Sequence, residues 1–137
     1  MVRSELTKSE GDFLRRSRVV RLATVGPGAH PHNVPVCIQF DGRVLYFASE
    51  RETKKVRNIA TNPRVCVVAD EYYEEWEENK AVMVQGRARI VAPGADFRRL
   101  RQGLVRKYPQ YRGDWGPSEE TDVMIVITPE NVVSWGV

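Results

Sequence analysis

Residues 45–65, "LYFASERETKKVRNIATNPRV", decide the fold. Leu45 to Ser49 is a short apolar, aromatic run that reads as a strand. After Ser49 the period changes. Val56, Ile59 and Ala60 recur at helical spacing, and Asn62-Pro63 stops the helix because proline brings no N–H to continue it. The spacing predicts a helix over residues 53–61, with Thr53 as its N-cap. "RVCVVAD" then resumes as a strand.

Outward from this unit the chain is mostly strand. "VVRLATVG", residues 19–26, is β-branched and too short for a stable helix. "PGAH" turns the chain, and a strand follows near residues 32–40. Asp41-Gly42 is the strongest hairpin signal, returning the chain antiparallel into residues 43–49. Downstream, the acidic "DEYYEEWEE" makes an excursion before the long strand "AVMVQGRARIV", where Gly86 marks a bulge or a close backbone approach. Pro93-Gly94 opens a helix with Phe97, Leu100, Leu104, Val105 and Tyr108 on one side. "YPQYRGDWGPSEE" reads as a polar loop, "DVMIVITP" as the last clear strand and "NVVSW" as a short terminal one. Near the N-terminus, Ser9 and Asp12 suggest a capping-box variant opening a short helix over 9–17, which Gly11 weakens. About six strands joined by short connections do not alternate with helices as in a doubly wound sheet. The order predicts a mainly β protein, an antiparallel barrel with flanking helices, as one domain over residues 1–137.

Composition agrees. Charged residues are 28% and apolar residues 42%, a globular balance. No apolar run approaches a membrane span, and the N-terminus lacks the apolar core of a signal peptide, so a cytoplasmic protein is expected. Net charge is +3, in basic groups separated by the acidic block. A nucleic-acid binder would present one continuous basic face, so none is expected here. Cys37 and Cys66 each lie in apolar, strand-like runs and read as buried thiols.

Few residues offer chemistry. There is no CxxC, no HExxH and no clustered Cys/His set. His30 and His32, the only histidines, flank Pro31 and lack further metal ligands, so no metal is expected; His32 could instead face a ligand. The glycines of "GPG" lack both the dinucleotide-binding spacing and the P-loop Lys-Ser/Thr. What survives is the basic turn after Ser49. Free N–H groups beyond Thr53, the helix dipole, Lys54, Lys55 and the fork of Arg51 would suit a phosphate. A solvated basic helix start is the alternative.

Residues 21–70, from "RLATVG" through "PHNVPV", "LYF", "KKVRNI" and "NPRV", resemble in order the core of the pyridoxamine-phosphate-oxidase-like split β-barrel family, which binds flavin or deazaflavin cofactors. "LRQGLVRKYPQY" and the tryptophan near the C-terminus are similar to the subgroup that uses the deazaflavin F420. The resemblance implies a split antiparallel barrel and a homodimer holding F420 or FMN in a groove between subunits. It implies phosphate contacts from Ser49, Thr53, Lys54 and Lys55, with Lys55 the best match, and Val36, Cys37 and Ile38 flanking the ring system. Asn58 would brace backbone. The chain is shorter than true pyridoxamine-phosphate oxidases and ends in "NVVSWGV", without their "R-x-H"-type substrate segment. The implied activity is hydride transfer between cofactor and a small organic substrate, with no catalytic side chain of the protein's own. A non-catalytic cofactor store or sensor is the alternative. Tyr72, Tyr73 and Trp76, with His32, would wall the substrate side; the aromatic segment could equally pack on the partner subunit.

Overall fold

The computed structural model describes residues 2–137. Seven strands, β1 (Val20–Val25), β2 (Pro31–Val36), β3 (Gln39–Phe40), β4 (Leu45–Glu50), β5 (Arg64–Glu71), β6 (Lys80–Val91) and β7 (Asp122–Trp135), form one antiparallel sheet. Its order is β2-β1-β5-β6-β7-β4-β3, and it curls into a split barrel. Three helices flank it: α1 (Lys8–Arg16), α2 (Lys54–Thr61) and α3 (Ala95–Lys107).

Three local expectations are corrected. The first helix is capped by Thr7, not Ser9. The Thr7 hydroxyl accepts from the Glu10 N–H at 3.2 Å, and the Glu10 carboxylate accepts from the Thr7 N–H at 2.8 Å. Glutamate reaches back one turn; Asp12 pairs instead with Lys8 and Arg15. Gly11 inside this helix admits the Phe40 ring, which would stand 2.9 Å from an added Cβ. Second, the strand expected over 32–40 breaks at Cys37 and Ile38, so Cys37 lies outside any strand. Both cysteines are free and half-buried rather than buried. Third, "NVVSW" continues β7. Pro129 interrupts nothing, because it sits opposite Gly86 where the β6–β7 register shifts. There Gly86 is required: a Cβ would stand 2.5 Å from the Thr128 carbonyl oxygen.

Strand alternation sorts the apolar residues into two cores. The row Leu22, Val67, Val84 and Val132 faces into the barrel with Leu45, Phe47, Ile125 and Ile127. Phe13 and Leu14 of α1 join it. The other face of β4 and β7 puts Tyr46, Met124 and Val126 beneath Phe97, Leu100 and Leu104 of α3 and its C-cap, Tyr108. β4 and β7 are therefore buried on both sides, between two cores. Each such side chain contributes about 1.5–3 kcal/mol relative to exposure, enough to fix α3 on the sheet.

One charged side chain is buried with α1. Arg3 donates to both Glu10 oxygens at 2.7 Å, and the Ser134 hydroxyl donates to one of them. The Arg3 guanidinium, with the Ser134 hydroxyl and the Thr7 N–H, holds the Glu10 carboxyl down at about 2. An unfolded glutamate takes up its proton near pH 4.3. The stability Glu10 contributes is thus complete above that value and drains away as pH falls toward 2. Urea midpoints followed from neutral pH into this window should fall less steeply in Glu10→Gln than in the natural chain. Parallel slopes would refute the assignment.

Candidate functional site

The turn between β4 and α2 gathers the basic residues. Thr53 occupies the N-cap of α2, but its side chain does not cap the helix. Its hydroxyl lies 2.9 Å from the Ser49 hydroxyl and donates to the Glu50 carbonyl at 3.1 Å. The first-turn N–H groups of α2 are left without a side-chain acceptor, and no acidic residue occupies that turn. Anions are favoured at such an end. Lys54 is exposed and Lys55 half-buried. Among the described residues neither ammonium makes an ion pair or a hydrogen bond. Burial pulls the Lys55 ammonium below its ordinary value, with Glu50 opposing. Arg51 is engaged elsewhere: its guanidinium donates to the Glu120 carbonyl at 2.8 Å and the Asp122 carbonyl at 3.4 Å. It ties the turn to the segment before β7, leaving the two lysines and the helix end for an anion.

Beside this turn lies the strand break. Val36 and Ile38 point into the barrel core, so at residues 36–38 only backbone and the Cys37 side chain are available to a ligand. The Tyr111 hydroxyl lies beside the Cys37 thiol, and Tyr111 and Ala48 pack on the outer core with Cys37. Burial pushes the Tyr111 hydroxyl up to about 12. A pocket of about 440 Å³ opens between the end of β4 and the segment after α3, lined by Ala48, Ser49, Glu50, Tyr111 and Trp115. Ser49 at the end of β4 and Cys37 at the break are thus linked through Tyr111. Tyr111 and Trp115 were not anticipated from sequence. The aromatic spacing of "YPQYRGDW" was the available signal, masked by its polar neighbours.

The aromatic segment is placed differently. Tyr72, Tyr73 and Trp76 are exposed on the β5–β6 connection, where the Trp76 indole donates to the Tyr72 hydroxyl at 3.3 Å and Tyr73 donates to Glu71 at 2.9 Å. Glu71 pairs with Lys80 and Ala81 with Trp135, while Glu50 pairs with Asp122. The segment and the basic turn therefore occupy opposite ends of β7, roughly 40 Å of strand apart at 3.3 Å per residue. His32 lies on β2 opposite Thr24, half-buried, and its Nδ1 is buried without a hydrogen-bond partner. Asn58 donates to the Thr24 hydroxyl at 3.0 Å, locking α2 to β1 through a side chain.

The outer face of the sheet carries a second pocket, of about 370 Å³, over Ala23, Cys66, Gln85 and Gly86. Beside it the cross-strand row Val68, Met83 and Val133 leads toward exposed Trp135. Among the described residues no group of three or more His, Cys, Asp or Glu is arranged to hold a metal ion. Among the described residues no helix is long and apolar enough to cross a membrane.

The chain belongs to the pyridoxamine 5'-phosphate oxidase family, whose model matches residues 6–136. It is 32% identical over 136 residues to the 5a,11a-dehydrotetracycline/5a,11a-dehydrooxytetracycline reductase of Streptomyces rimosus, across 96% of this chain and 83% of that one. Among solved structures it is similar to an FAD-binding protein from Mesorhizobium loti, with TM-score 0.77 and 28% identity over 98% of this chain and 95% of that one. An F420 reductase shares the fold at TM-score 0.72 and 24% identity, over 93% of this chain and 98% of that one.

Proposed function

We propose that the chain is an oxidoreductase that passes a hydride between F420 or FMN and a small organic substrate, in a groove completed by a second copy. The observation that carries this reading is the basic turn. A helix end without a side-chain cap and a half-buried, unpartnered Lys55 stand together beside the break at residues 36–38. An ammonium held partly out of water without a counter-ion is suited to receive an anion. The reductase relative and the FAD-binding neighbour support the redox class.

The bound cofactor supplies the hydride chemistry. The chain's own residues bind and orient. Lys54, Lys55 and the α2 N–H groups hold the phosphate, with the Ser49 and Thr53 hydroxyls as further partners. Arg51 keeps the turn in place through the Glu120 and Asp122 carbonyls. Backbone at residues 36–38 and the Cys37 side chain flank the ring. Tyr111 and Trp115 exclude water at the open side. Tyr72, Tyr73 and Trp76, remote from the turn in one copy, reach the substrate side only from the partner copy. The apolar row Val68, Met83 and Val133, with Trp135, offers the sheet face on which two copies meet, aromatic and apolar residues being enriched at interface cores.

Separate titrations of the purified protein with F420 and FMN test the reading. One or both should bind. The bound, reduced form should be reoxidised by a quinone or an enone, which separates an enzyme from a store. Sedimentation at micromolar concentration should give a dimer. Failure to bind either cofactor would refute the function, and a cofactor-loaded monomer would refute the shared groove.

A further inference from the structure

We propose that Lys107 and Tyr108, at the C-terminal end of α3, are positioning residues that set the backbone at Cys37–Ile38 and thereby the ring-facing stretch of the groove. The inference rests on the reading of residues 36–38 as part of that groove.

The break creates a specific need. The β1–β2 ladder ends at Val36 and the β3–β4 ladder begins at Gln39. The N–H and carbonyl of Ile38 fall between them, and Ile38 is completely buried. A buried amide without partners loses its hydration and receives nothing in return. α3 supplies both partners from a distance in sequence. The Ile38 N–H donates to the Tyr108 hydroxyl at 3.0 Å, across 70 residues. The Ile38 carbonyl accepts from the Lys107 ammonium. The Tyr108 hydroxyl donates in turn to the Arg18 carbonyl at 2.7 Å.

The rest of α3 is keyed to the same place. Lys107 also donates to the Leu14 carbonyl at 3.2 Å, so one ammonium joins the end of α1 to the break. One turn earlier, Gln39 donates to the Gly103 carbonyl at 3.1 Å. A Cβ at Gly103 would fall 1.8 Å from the Tyr46 hydroxyl, so any side chain there would displace the buried Tyr46 ring. The cations of Arg18 and Lys107 stand over the Tyr108 ring, 4.5 Å and 5.3 Å from its centre. The break is thus held on both sides by a helix that contributes nothing to the basic turn. Its backbone angle depends on α3, not on a neighbouring strand.

The brace is titratable. Burial, with the charge of Arg18 adding to it and Cys37 opposing, pulls the Lys107 ammonium down to about 8. The charged or titratable groups facing it are Arg18 from the α1–β1 link, Cys37 from the break and Tyr108 from its own helix. Above that pH the amine is neutral, and its bonds to the Leu14 and Ile38 carbonyls lose their charge-assisted strength. The break should loosen as pH rises through about 8.

The test uses the full chain, first without cofactor. The Ile38 amide is followed by nitrogen-15 NMR, as chemical shift and as exchange corrected for intrinsic pH dependence, from neutral to alkaline pH. The natural chain should show an inflection near 8. Lys107→Met and Lys107→Arg should abolish it. Tyr108→Phe, which keeps the ring and Lys107, should retain the inflection with faster Ile38 exchange throughout. Cofactor titrations follow, with FMN and F420 as probes. Affinity should weaken roughly fivefold through the same inflection in the natural chain, and Lys107→Met should lose that inflection. An Ile38 amide indifferent to Lys107 would overturn the brace. A titrating Ile38 amide with pH-independent cofactor affinity would overturn its role in the groove while leaving cofactor binding intact. Binding of neither probe would instead bring down the functional reading and the groove role with it.

Discussion

Replacing Lys55 by alanine is expected to weaken FMN or F420 binding roughly tenfold or more, because a charged hydrogen bond to an anion is commonly worth about 1.5–3 kcal/mol. Riboflavin, which has no phosphate, should bind both forms alike. The folded protein should not suffer. Lys55 is half-buried without an ion pair, and burial already opposes its charge. The melting temperature without cofactor should therefore hold or rise. Arg99→Ala is the control, since Arg99 is exposed on α3, where it pairs with Asp96 at 3.7 Å, away from the basic turn. Calorimetry of both variants against FMN and riboflavin decides. Equal losses for the two ligands in Lys55→Ala would return the basic turn to a solvated helix start.

Gly86→Ala should cost about 2–3 kcal/mol, at the upper end for overpacking, because the added carbon meets backbone as well as a side chain. It would stand 2.5 Å from the Thr128 carbonyl oxygen and 2.9 Å from the Ile127 side chain. Backbone in the β6–β7 pairing must move to relieve it. That corresponds to a fall of roughly 5–12 °C in melting temperature. Gly113→Ala, where a Cβ meets nothing within 4 Å, should change stability by less than about 0.5 kcal/mol. If thermal melts show the two substitutions to be equally mild, the close approach at the bulge is wrong.

Sequence carried the fold where information is local. The hairpin at Asp41-Gly42 forms as its dipeptide suggests, with Asp41 accepting from the Arg43 and Val44 N–H groups at 2.9 and 2.8 Å. The helix after Thr53 and the bulge at Gly86 lie where they were expected. The misses have physical reasons. Thr7-x-x-Glu10 was as readable a capping box as the Ser9-Asp12 pair, but Ser9 stood closer to the apolar residues and drew the boundary. Pro129 looked like a strand end, because its harmlessness depends on Gly86 lying opposite. The break at Cys37–Ile38 had no local signature, since what stabilises it arrives from Lys107 and Tyr108. The site divides in the same way. Lys54, Lys55, Thr53 and Ser49 are sequence neighbours and share one turn. Arg51 looked like an equal member until two carbonyls some 70 residues away proved to occupy it.

The placement of β7 has a consequence for how the chain acquires its shape during synthesis. Every strand that precedes it in the chain falls into one of two groups, β2-β1-β5-β6 or the β3–β4 hairpin, and only β7 joins them. Until residues 122–135 leave the ribosome, β6 and β4 each show an open hydrogen-bonding edge flanked by apolar side chains. Leu45 must wait for Ile127 before its strand is closed. Pairings so distant in sequence form slowly, and open edges of this kind are where nascent chains aggregate. The tie from Arg51 to the Glu120 and Asp122 carbonyls, which fastens the basic turn, therefore waits on the docking of β7.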